Sequence, residues 1–358
     1  MDKRIVIMAG GTGGHVFPAL AVAEILKELG WQVSWIGTHK GLESRVVPEA
    51  GIEIDWLSIA GIRGKGIASK LKAIIMLIKA CLQANKILCK RKPDVVLGMG
   101  GFVAGPGGLM AKLLGIPLVI HEQNRIPGTT NRLLSRISNQ VLQAFPSSFK
   151  TKVNAKHTGN PLRKRFISAS ELVRRPIEKE VRILIVGGSQ GAQILNNIVP
   201  EAIAKFMSLN DKSISVKIMH QTGDVMLSQV KNRYEALGIQ AKTAAFIEDM
   251  VEVYQWADLV ICRAGAMTVS EVSAMGLPAI FIPLPTAIDD HQTANARYLT
   301  DNGAALLLMQ GELTPEILAK YITELLKNAN DMRAATKRLA RLDATSLVVS
   351  YCSAEAEL

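Results

Sequence analysis

Four glycines and a histidine follow the first apolar run of the chain, in the segment GGTGGHVFPA at residues 10–19. Glycine loses more backbone freedom on folding than any other residue, so such a cluster indicates a close-lying ligand or positive φ angles. A glycine turn that leads into a helix presents unpaired N–H groups and the positive end of the helix dipole to an anion. Residues 98–108 and 187–191 are similar glycine-rich turns. We therefore predict phosphate binding at these three loops, with tight turns and close helix packing as the alternative.

The glycine loops lack the residues that two common nucleotide sites require. A dinucleotide site needs GxGxxG, but residues 11–16 read GTGGHV, and the next strand, QVSWIGTHK, has no acidic residue to hold a ribose. A P-loop needs GK followed by Ser or Thr, which the loops do not contain. NAD binding and P-loop ATP chemistry are therefore disfavoured.

His15 follows the first loop, at or near the first turn of the predicted helix. A helix N-terminus disfavours the protonated imidazolium, so we expect this side chain to be neutral and able to accept a proton near pH 7. The alternative is a histidine that only hydrogen-bonds its own turn.

A second candidate lies in the segment RAGAMTVSEVSAMGLP at residues 263–278. Thr268 and Glu271 have the spacing of a capping box, in which Glu271 would bond to the backbone of Thr268, and spacing alone favours this structural role. The functional alternative is that Glu271 points outward and binds the vicinal diol of a ribose.

The segment PTAIDDHQTANARYLTDNG predicts a helix from about Asp290 to Gly303. Gln292 and Asn295 lie three residues apart on one face, so their two amides could bind one polar ligand. Asp289 and Asp290 suggest a metal site, but an acidic first turn is explained equally well by the helix dipole. We expect no metal.

Short runs of Val, Ile and Leu alternate with helical patterns through most of the chain, which predicts parallel strands covered on both faces. The pattern starts twice, at IVIMAGGTGGH and at ILIVGGSQGAQ. We therefore predict an α/β fold with two doubly wound sheets and a boundary near residues 159–165. Ligands of open α/β sheets lie beyond the carboxyl ends of the strands, so two facing sheets would form a cleft between domains.

Composition limits the function. The chain has 358 residues, long enough for two domains, and its four cysteines show no paired spacing, which indicates reduced thiols in the cytoplasm. Residues 1–160 hold 21 Lys and Arg against 9 Asp and Glu, whereas residues 161–358 are nearly balanced, at 21 against 22. The first half is therefore expected to meet nucleic acid, an acidic membrane or a phosphorylated substrate.

Six further segments, taken together with GGTGGHVFPA, resemble one family. They are HEQN at 121–124, the PGTTN that follows at 127–131, GNPLR at 159–163, GGSQGA at 187–192, CRAGAMTVSE at 262–271 and DDHQTANA at 289–296. In this order they are similar to the motifs of the MurG family, which belongs to glycosyltransferase family 28. The resemblance covers roughly residues 5–300.

The resemblance implies a GT-B fold, in which two Rossmann-like doubly wound domains flank an interdomain cleft. It implies inverting transfer of GlcNAc from UDP-GlcNAc to the C4 hydroxyl of MurNAc in undecaprenyl-pyrophosphoryl-MurNAc-pentapeptide (lipid I), which gives lipid II for peptidoglycan. Residues 1–160 would face the acceptor and the membrane, and residues 161–341 would bind UDP-GlcNAc. A C-terminal helix at about 342–358 would pack back on the first domain. No cofactor is implied.

Site residues follow from the same resemblance. Ile247 would meet the uracil through its backbone, Glu271 would bind the ribose diol, and Ser189 and Arg163 would bind the diphosphate. Gln292 and Asn124 would read the GlcNAc hydroxyls. The donor pocket would also be lined by Ala266, Met267, Thr268, Val269 and Ser270. The residues near the sugar and the acceptor pyrophosphate would be Thr12, Gly13, Gly14 and His15, the last as the candidate base or as an acceptor-binding residue.

Residues 69–92 combine an apolar stretch with seven Lys or Arg residues. An enzyme with a lipid-linked acceptor must act at the bilayer surface. We therefore predict that the protein docks reversibly on an anionic membrane, at the cytoplasmic face of the inner membrane. The apolar part, 73–82, is shorter than the roughly 20 residues of a spanning helix. The alternative is a buried helix whose core face comprises Leu71, Ile74, Ile75, Ile78 and Leu82.

Two rival functions remain at this point. One is another GT-B enzyme, either a lipid glycosyltransferase with a different acceptor or a nucleotide-sugar epimerase. The other is a nucleic-acid binder, although residues 69–92 contain no aromatic residue to stack on bases. We expect no nucleic-acid partner, and we name proteins of cell-wall synthesis and division as candidate partners.

Overall fold

The computed structural model describes residues 3–59, 67–171, 174–177, 179–188, 192–209 and 214–357, without the side chains of residues 67–72 and 288. The chain divides into two compact units. Unit 1 comprises Met1–Arg163 with Arg341–Leu358, and unit 2 comprises Lys164–Ala340. Each unit is built around one parallel sheet, which confirms the predicted α/β class with two sheets.

The sheet of unit 1 has seven strands in the order β3-β2-β1-β4-β5-β6-β7, and the sheet of unit 2 has six in the order β10-β9-β8-β11-β12-β13. The strands of unit 1 are β1 (Arg4–Met8), β2 (Gln32–Gly37), β3 (Glu53–Trp56), β4 (Val95–Gly98), β5 (Leu118–Glu122), β6 (Gln140–Gln143) and β7 (Lys156–His157). Those of unit 2 are β8 (Glu180–Val186), β9 (Ser215–Gln221), β10 (Ala241–Ala244), β11 (Leu259–Cys262), β12 (Ala279–Phe281) and β13 (Leu306–Leu307). The first strand of each half lies in the middle of its sheet, so strand order reverses there, as in Rossmann-like folds.

Helices connect these strands. In unit 1 they are α1 (Gly13–Glu28), α2 (Glu43–Glu49), α3 (Ile67–Arg91), α4 (Ala104–Leu113) and α5 (Thr129–Leu134). Unit 2 contains α6 (Lys164–Ser170), α7 (Gln193–Leu209), α8 (Leu227–Ala236), α9 (Met250–Trp256), α10 (Ala266–Ala274), α11 (His291–Thr300), α12 (Pro315–Lys327) and α13 (Ala329–Leu339). The last helix, α14 (Ala344–Glu355), belongs to unit 1.

Both faces of the unit 1 sheet are covered, which explains why its strands read as continuous apolar runs. Residues of α1, α14 and the sheet form one core, in which Val348, Val349 and Cys352 of α14 are buried. Residues of α3, α4 and α5 form a second core on the sheet, with Ala84, Ala104 and Leu134 among them. The helices cover the two faces of the sheet, so the loops that follow the strands lie at the carboxyl ends of the strands.

The core of unit 2 surrounds β8, whose residues Ile183 and Ile185 are fully buried. Helices α7 and α12 pack against each other on this side of the sheet. Thr314 begins α12 as its N-cap, with its hydroxyl accepting a hydrogen bond from the Ile317 N–H at 3.2 Å, and Pro315 occupies the first turn.

Four large apolar side chains of α3 do not face the core that Ala84 and Leu88 of the same helix help to form. Ile74, Ile75, Ile78 and Leu82 are between 55% and 67% exposed, so the expectation of a buried helix is wrong for these four residues, and the Leu71 side chain lies outside the described residues. Among the described helices, none has the combination of length and apolarity that crossing a bilayer requires.

Candidate functional site

The first glycine loop joins β1 to α1 at the carboxyl edge of the unit 1 sheet. Thr12 is the N-cap of α1, and its carbonyl accepts hydrogen bonds from the N–H groups of His15 and Val16, at 3.1 and 3.2 Å. Gly13 and Gly14 are the first two residues of the helix, so their N–H groups have no carbonyl one turn earlier. These amides are therefore placed to bind an anion at the positive end of the helix dipole.

A buried carboxylate lies beneath this loop. Glu43, at the start of α2, is fully buried, and one of its oxygens accepts the Gly11 N–H at 2.9 Å. The other oxygen accepts the Thr38 N–H at 2.9 Å and the Thr38 hydroxyl at 2.8 Å. A Cβ at Gly10 would lie 2.7 Å from the carboxylate, so glycine is required there by close packing. Glu43 thus holds the loop from inside the unit.

His15 lies in the first turn of α1, as predicted, and its imidazole packs against a second glycine loop. Its Nδ1 is 3.5 Å from the Thr12 hydroxyl. A Cβ at Gly100, which has a φ of 94°, would lie 2.6 Å from the His15 ring and 3.5 Å from Gln123 Oε1. Gly100 therefore allows the histidine and the HEQN segment to approach the same point.

Glu122 of the HEQN segment organises the loop after β5. This carboxylate is buried, and one oxygen accepts the Asn124 N–H at 2.9 Å and the Asn124 side-chain amide at 3.3 Å. The other oxygen accepts the Gly128 N–H at 3.1 Å and the Asn131 amide at 2.9 Å. Asn124, the predicted sugar-binding residue, is consequently held in one orientation at the carboxyl edge.

His121 and Gln123 form the buried side of the same segment. His121 Nε2 donates to the Gly159 carbonyl at 2.9 Å, and Gln123 Nε2 donates to His121 Nδ1 at 3.1 Å. Complete burial lowers the pKa of His121 to about 4, so the ring is neutral at pH 7. Gln123 Oε1 is buried and has no hydrogen-bond partner within the described part of the chain.

Arg163, predicted to bind diphosphate, is the last residue of the first segment of unit 1. Its guanidinium carbon lies 5.3 Å from the ring centroid of Phe17 in α1, a cation–π contact. Phe17 in turn packs on the glycine loop, because a Cβ at Gly13 would lie 2.9 Å from the Phe17 ring. The structure therefore places this exposed cation beside the first glycine loop.

In unit 2 the predicted residues that the structure describes also lie on loops and helices that follow the carboxyl ends of the strands. Gln221, at the end of β9, connects two of the loops: its Nε2 donates to the Gly188 carbonyl at 2.8 Å, and its Oε1 accepts the Ile247 N–H at 3.0 Å. The backbone N–H of Ile247 is thus already used inside the unit, and its carbonyl is the group left for a ligand. Ser189 lies outside the described residues.

The capping-box interpretation of Thr268 and Glu271 is wrong. Helix α10 begins at Ala266 with Gly265 as its N-cap, so Thr268 is already inside the first turn and has no capping position. Glu271 is half-buried and lies one turn further along, 3.5 Å from the Tyr254 hydroxyl. Burial raises the pKa of Tyr254 well above 10, so this hydroxyl keeps its proton and can donate to the carboxylate.

The other predicted residues of α10 divide between two environments. Ala266 and Val269 are buried inside unit 2, whereas Met267, Thr268 and Ser270 are half-buried. The Ser270 hydroxyl donates to the Ala266 carbonyl at 3.0 Å. Polar contacts with a ligand can therefore come from the partly exposed residues Thr268 and Ser270, whereas Val269 packs in the interior of unit 2.

Helix α11 begins at His291 and ends at Thr300, with a turn that reaches Gly303, close to the predicted bounds. Gln292 Oε1 accepts the Leu284 N–H at 3.0 Å. Asn295 is fully buried, and its amide donates to the Ala264 carbonyl at 3.2 Å. The prediction that both amides bind one ligand is therefore wrong, because Asn295 holds the loop before α10.

Asp289 and Asp290 adopt left-handed backbone conformations with φ of 52° just before α11. The Asp290 carboxylate accepts the Thr293 hydroxyl at 2.6 Å, which fixes the start of the helix. In the ranges that the structure describes, no group of three or more His, Cys, Asp or Glu residues is arranged to hold a metal ion.

Sequence reasoning missed three residues that hold the site in place. Glu43, Glu122 and Gln221 each hydrogen-bond to loop backbone at the carboxyl edge of a sheet. A signal existed for Glu122, because a charged residue at the end of the apolar strand PLVIHE requires hydrogen-bond partners. The flanking glycines at 37 and 41 were a weaker signal for Glu43, since both pack on its side chain.

Two models of one protein family together match most of the chain. The model of the glycosyltransferase family 28 N-terminal domain matches residues 5–143, and that of the family 28 C-terminal domain matches residues 182–349.

Individual proteins match at full length. The chain is 57% identical over 359 residues to the UDP-N-acetylglucosamine–N-acetylmuramyl-(pentapeptide) pyrophosphoryl-undecaprenol N-acetylglucosamine transferase of Methylococcus capsulatus, covering 99% of both chains. It is 48% identical over 363 residues to the protein of the same name from a Shewanella species, covering 99% of this chain and 98% of the relative. Among solved structures, MurG of Acinetobacter baumannii is similar with a TM-score of 0.83 and 40% identity, over 98% of this chain and 99% of that one. A glycosyltransferase of kitacinnamycin shares the fold at 16% identity, with a TM-score of 0.72, over 99% of this chain and 100% of that one.

Proposed function

The chain belongs to glycosyltransferase family 28, and from this premise we infer that it is an N-acetylglucosaminyltransferase of peptidoglycan synthesis. It transfers GlcNAc from UDP-GlcNAc to the C4 hydroxyl of MurNAc in lipid I, with inversion at the sugar, and the product is lipid II. The observation that carries this conclusion is the 57% identity, over 99% of both chains, with the Methylococcus capsulatus transferase.

We propose that unit 2 binds UDP-GlcNAc. The Ile247 carbonyl is the group that would accept the uracil N–H, because the Ile247 N–H is used by Gln221. Glu271 would accept both ribose hydroxyls, and Gln292 would read the sugar. Ser189 and Arg163 are proposed to bind the diphosphate, where charge-assisted hydrogen bonds stabilise the negative charge on the departing UDP.

In this proposal unit 1 binds the acceptor. The first-turn amides of Gly13 and Gly14 are suited to the acceptor pyrophosphate because they lie at the positive end of α1. His15, in the next position, is the candidate base for the C4 hydroxyl, with acceptor binding as its alternative role. Asn124, held by Glu122, is proposed to contact GlcNAc.

The proposal is tested with labelled UDP-GlcNAc and a lipid I analogue. We expect His15→Ala to lower kcat about 10²- to 10⁴-fold, because a general base is lost. Glu271→Ala is expected to raise the KM for UDP-GlcNAc about 10- to 100-fold, because charged hydrogen bonds to the diol are lost. Glu312→Ala, an exposed acid of the same unit, is the matched control and should behave as wild type.

Two outcomes would contradict these assignments. Normal kinetics of both variants would refute the site while leaving the family intact. Consumption of UDP-GlcNAc in the absence of acceptor, with formation of an epimer, would replace the transferase by an epimerase.

We also propose that the protein docks peripherally on the cytoplasmic face of the inner membrane through α3. Ile74, Ile75, Ile78 and Leu82 recur at helical spacing and are exposed, and Lys79, Lys86 and Lys90 on the same helix are exposed too. Apolar insertion with lysine contacts to anionic lipid fits this composition. Proteins of cell-wall synthesis and division are candidate partners at that membrane.

Docking is measured by co-sedimentation with phosphatidylglycerol vesicles. Ile75→Asp/Ile78→Asp is expected to weaken binding at least about tenfold, because two apolar groups are replaced by two negative charges. Val225→Asp, at a position of unit 2 that is 98% exposed, is the control. Equal vesicle binding by the double variant and by this control would remove α3 from the docking surface.

A further inference from the structure

A cavity of unit 1 lies beside the HEQN loop, and its lining is strongly basic. Its volume is about 560 Å³. We call it the basic pocket, and its walls include Pro127, Arg132, Arg136, Phe149, Lys150 and Lys152. Four cations and apolar side chains in one lining indicate an anionic ligand with an apolar part.

The charge of this pocket is not balanced by neighbouring sequence. Residues 123–163 contain seven Lys and Arg and no Asp or Glu. Arg136, Lys150 and Lys152 are exposed, and none of them forms an ion pair with any acid that the structure describes. An anion that enters the pocket would therefore meet these three cations, which are not already neutralised by an ion pair.

The pocket opens at the edge of the sheet where the predicted site lies. Pro127 follows β5, and Phe149 and Lys150 follow β6, so its walls come from loops at the carboxyl ends of strands. Ser148, another wall residue, donates its hydroxyl to the Asn124 carbonyl at 3.1 Å. One wall of the pocket is thus hydrogen-bonded to the loop proposed to contact the sugar.

We propose that the basic pocket binds the carboxylate groups of the peptide carried by the acceptor, an inference that rests on the proposed function. The peptide begins at the MurNAc residue whose hydroxyl reacts, and five extended residues reach about 17 Å. A free C-terminus supplies at least one carboxylate, which Arg136 and Lys150 can pair with. Pro127 and Phe149 provide the apolar surface for aliphatic side chains of the peptide.

The test compares two soluble lipid I analogues that differ only in whether the peptide carboxylates are free or converted to amides. The wild type is expected to show a kcat/KM about five- to tenfold higher for the free acid, because two partly exposed ion pairs are involved. In Arg136→Gln/Lys150→Gln this ratio should fall to about 1, and Lys150→Gln alone should give an intermediate ratio. The wild-type ratio should also shrink in 1 M salt.

Lys320→Gln/Lys327→Gln removes the same charge from α12 in unit 2 and should keep the wild-type ratio. Equal use of both acceptors by the wild type, or an unchanged ratio in the pocket variant, would overturn the proposal. An unchanged ratio combined with weaker binding to anionic vesicles would assign the pocket to a lipid headgroup instead. Failure of the wild type to glycosylate either analogue would refute the proposed function itself, which separates the two conclusions.

Discussion

The glycine turns after β1 and β8 each follow the central strand of their sheet, but different chemical groups hold the residues of these turns that the structure describes. In unit 1 the carboxylate of Glu43 accepts the Gly11 N–H from beneath. In unit 2 the amide of Gln221 donates to the Gly188 carbonyl and accepts the Ile247 N–H. One loop is held by a negative charge and the other by a neutral group.

This difference changes what each loop can bind. A carboxylate only accepts hydrogen bonds, so Glu43 turns the Gly11 N–H inward and leaves anion binding to the first-turn amides of α1. An amide both donates and accepts, so Gln221 holds two loops without adding charge beneath the proposed diphosphate site. Charge neutrality is therefore expected to matter more in unit 2, where a nucleotide diphosphate is proposed to bind.

Of the changes that test this comparison, the largest effect on substrate binding is expected when the neutral amide of Gln221 is replaced by a charged carboxylate. In Gln221→Glu a carboxylate oxygen would face the Gly188 carbonyl at the present 2.8 Å contact, and a negative charge would lie near the proposed site of the donor diphosphate. We expect the KM for UDP-GlcNAc to rise about 100-fold, consistent with about 3 kcal/mol for an uncompensated buried charge. Steady-state kinetics with varied donor measure it.

Gln221→Met is the control for this experiment, because it removes both hydrogen bonds without adding charge. If it weakens donor binding as much as Gln221→Glu does, the charge is irrelevant and the comparison between the loops fails.

A smaller effect on substrate binding is expected when the carboxylate of Glu43 in unit 1 is replaced by a neutral amide. Glu43→Gln keeps the shape of the side chain but sets an NH₂ group against an N–H or hydroxyl donor, at either Gly11 or Thr38. We expect a loss of about 2 kcal/mol in the free energy of unfolding of unit 1, and a KM for the acceptor raised about tenfold. Urea unfolding and acceptor kinetics measure the two quantities, and a shift confined to the donor KM would contradict the assignment of this loop.

The smallest effect concerns two buried histidines, one in each unit. Burial lowers the pKa of His121 to about 4 and that of His220 to about 3, both below the value of about 6.5 in unfolded chains. The stability that each neutral ring contributes is complete above pH 6.5 and is lost as the pH falls towards the folded pKa. At pH 5.5 the loss is about 1.4 kcal/mol for each histidine.

Hydrogen exchange at pH 7.5 and 5.5, corrected for intrinsic rates, measures this loss in β5 and β9 separately. His121→Gln should reduce the pH dependence in unit 1 only, leaving the part that comes from His157, whose pKa is also lowered by burial and by Arg341. His220→Gln should reduce it in unit 2 only. Identical pH dependence in the wild type and in both variants would show that other groups titrate instead.

The sheets were predictable because their signal is local. Runs such as RIVIM and VRILIV are apolar and short, and glycine turns end them, so a parallel arrangement follows from a few residues at a time. The position of His15 in the first turn of α1 was predictable for the same reason, since the turn immediately precedes it.

The errors and omissions involve residues that act at a distance. Glu43 and Gly11 are 32 positions apart, and Gln221 and Gly188 are 33 apart, so no local pattern pairs them. The capping-box interpretation was wrong because Gly265, not Thr268, is the N-cap of α10. Gly265 follows the buried strand β11, whose position depends on the whole sheet. The burial of Asn295 could not be predicted from the sequence either, because helical spacing alone does not distinguish an amide that binds a ligand from one that holds a loop.

Helix α14 has a consequence for how the molecule is made. Its residues Val348, Val349 and Cys352 complete the core around α1, although the whole of unit 2 is synthesised between the two parts of unit 1. On the ribosome, the apolar surface of α1 therefore stays open to water, or to a chaperone, while unit 2 emerges and folds. The half of the protein that is translated first is the half that finishes folding last.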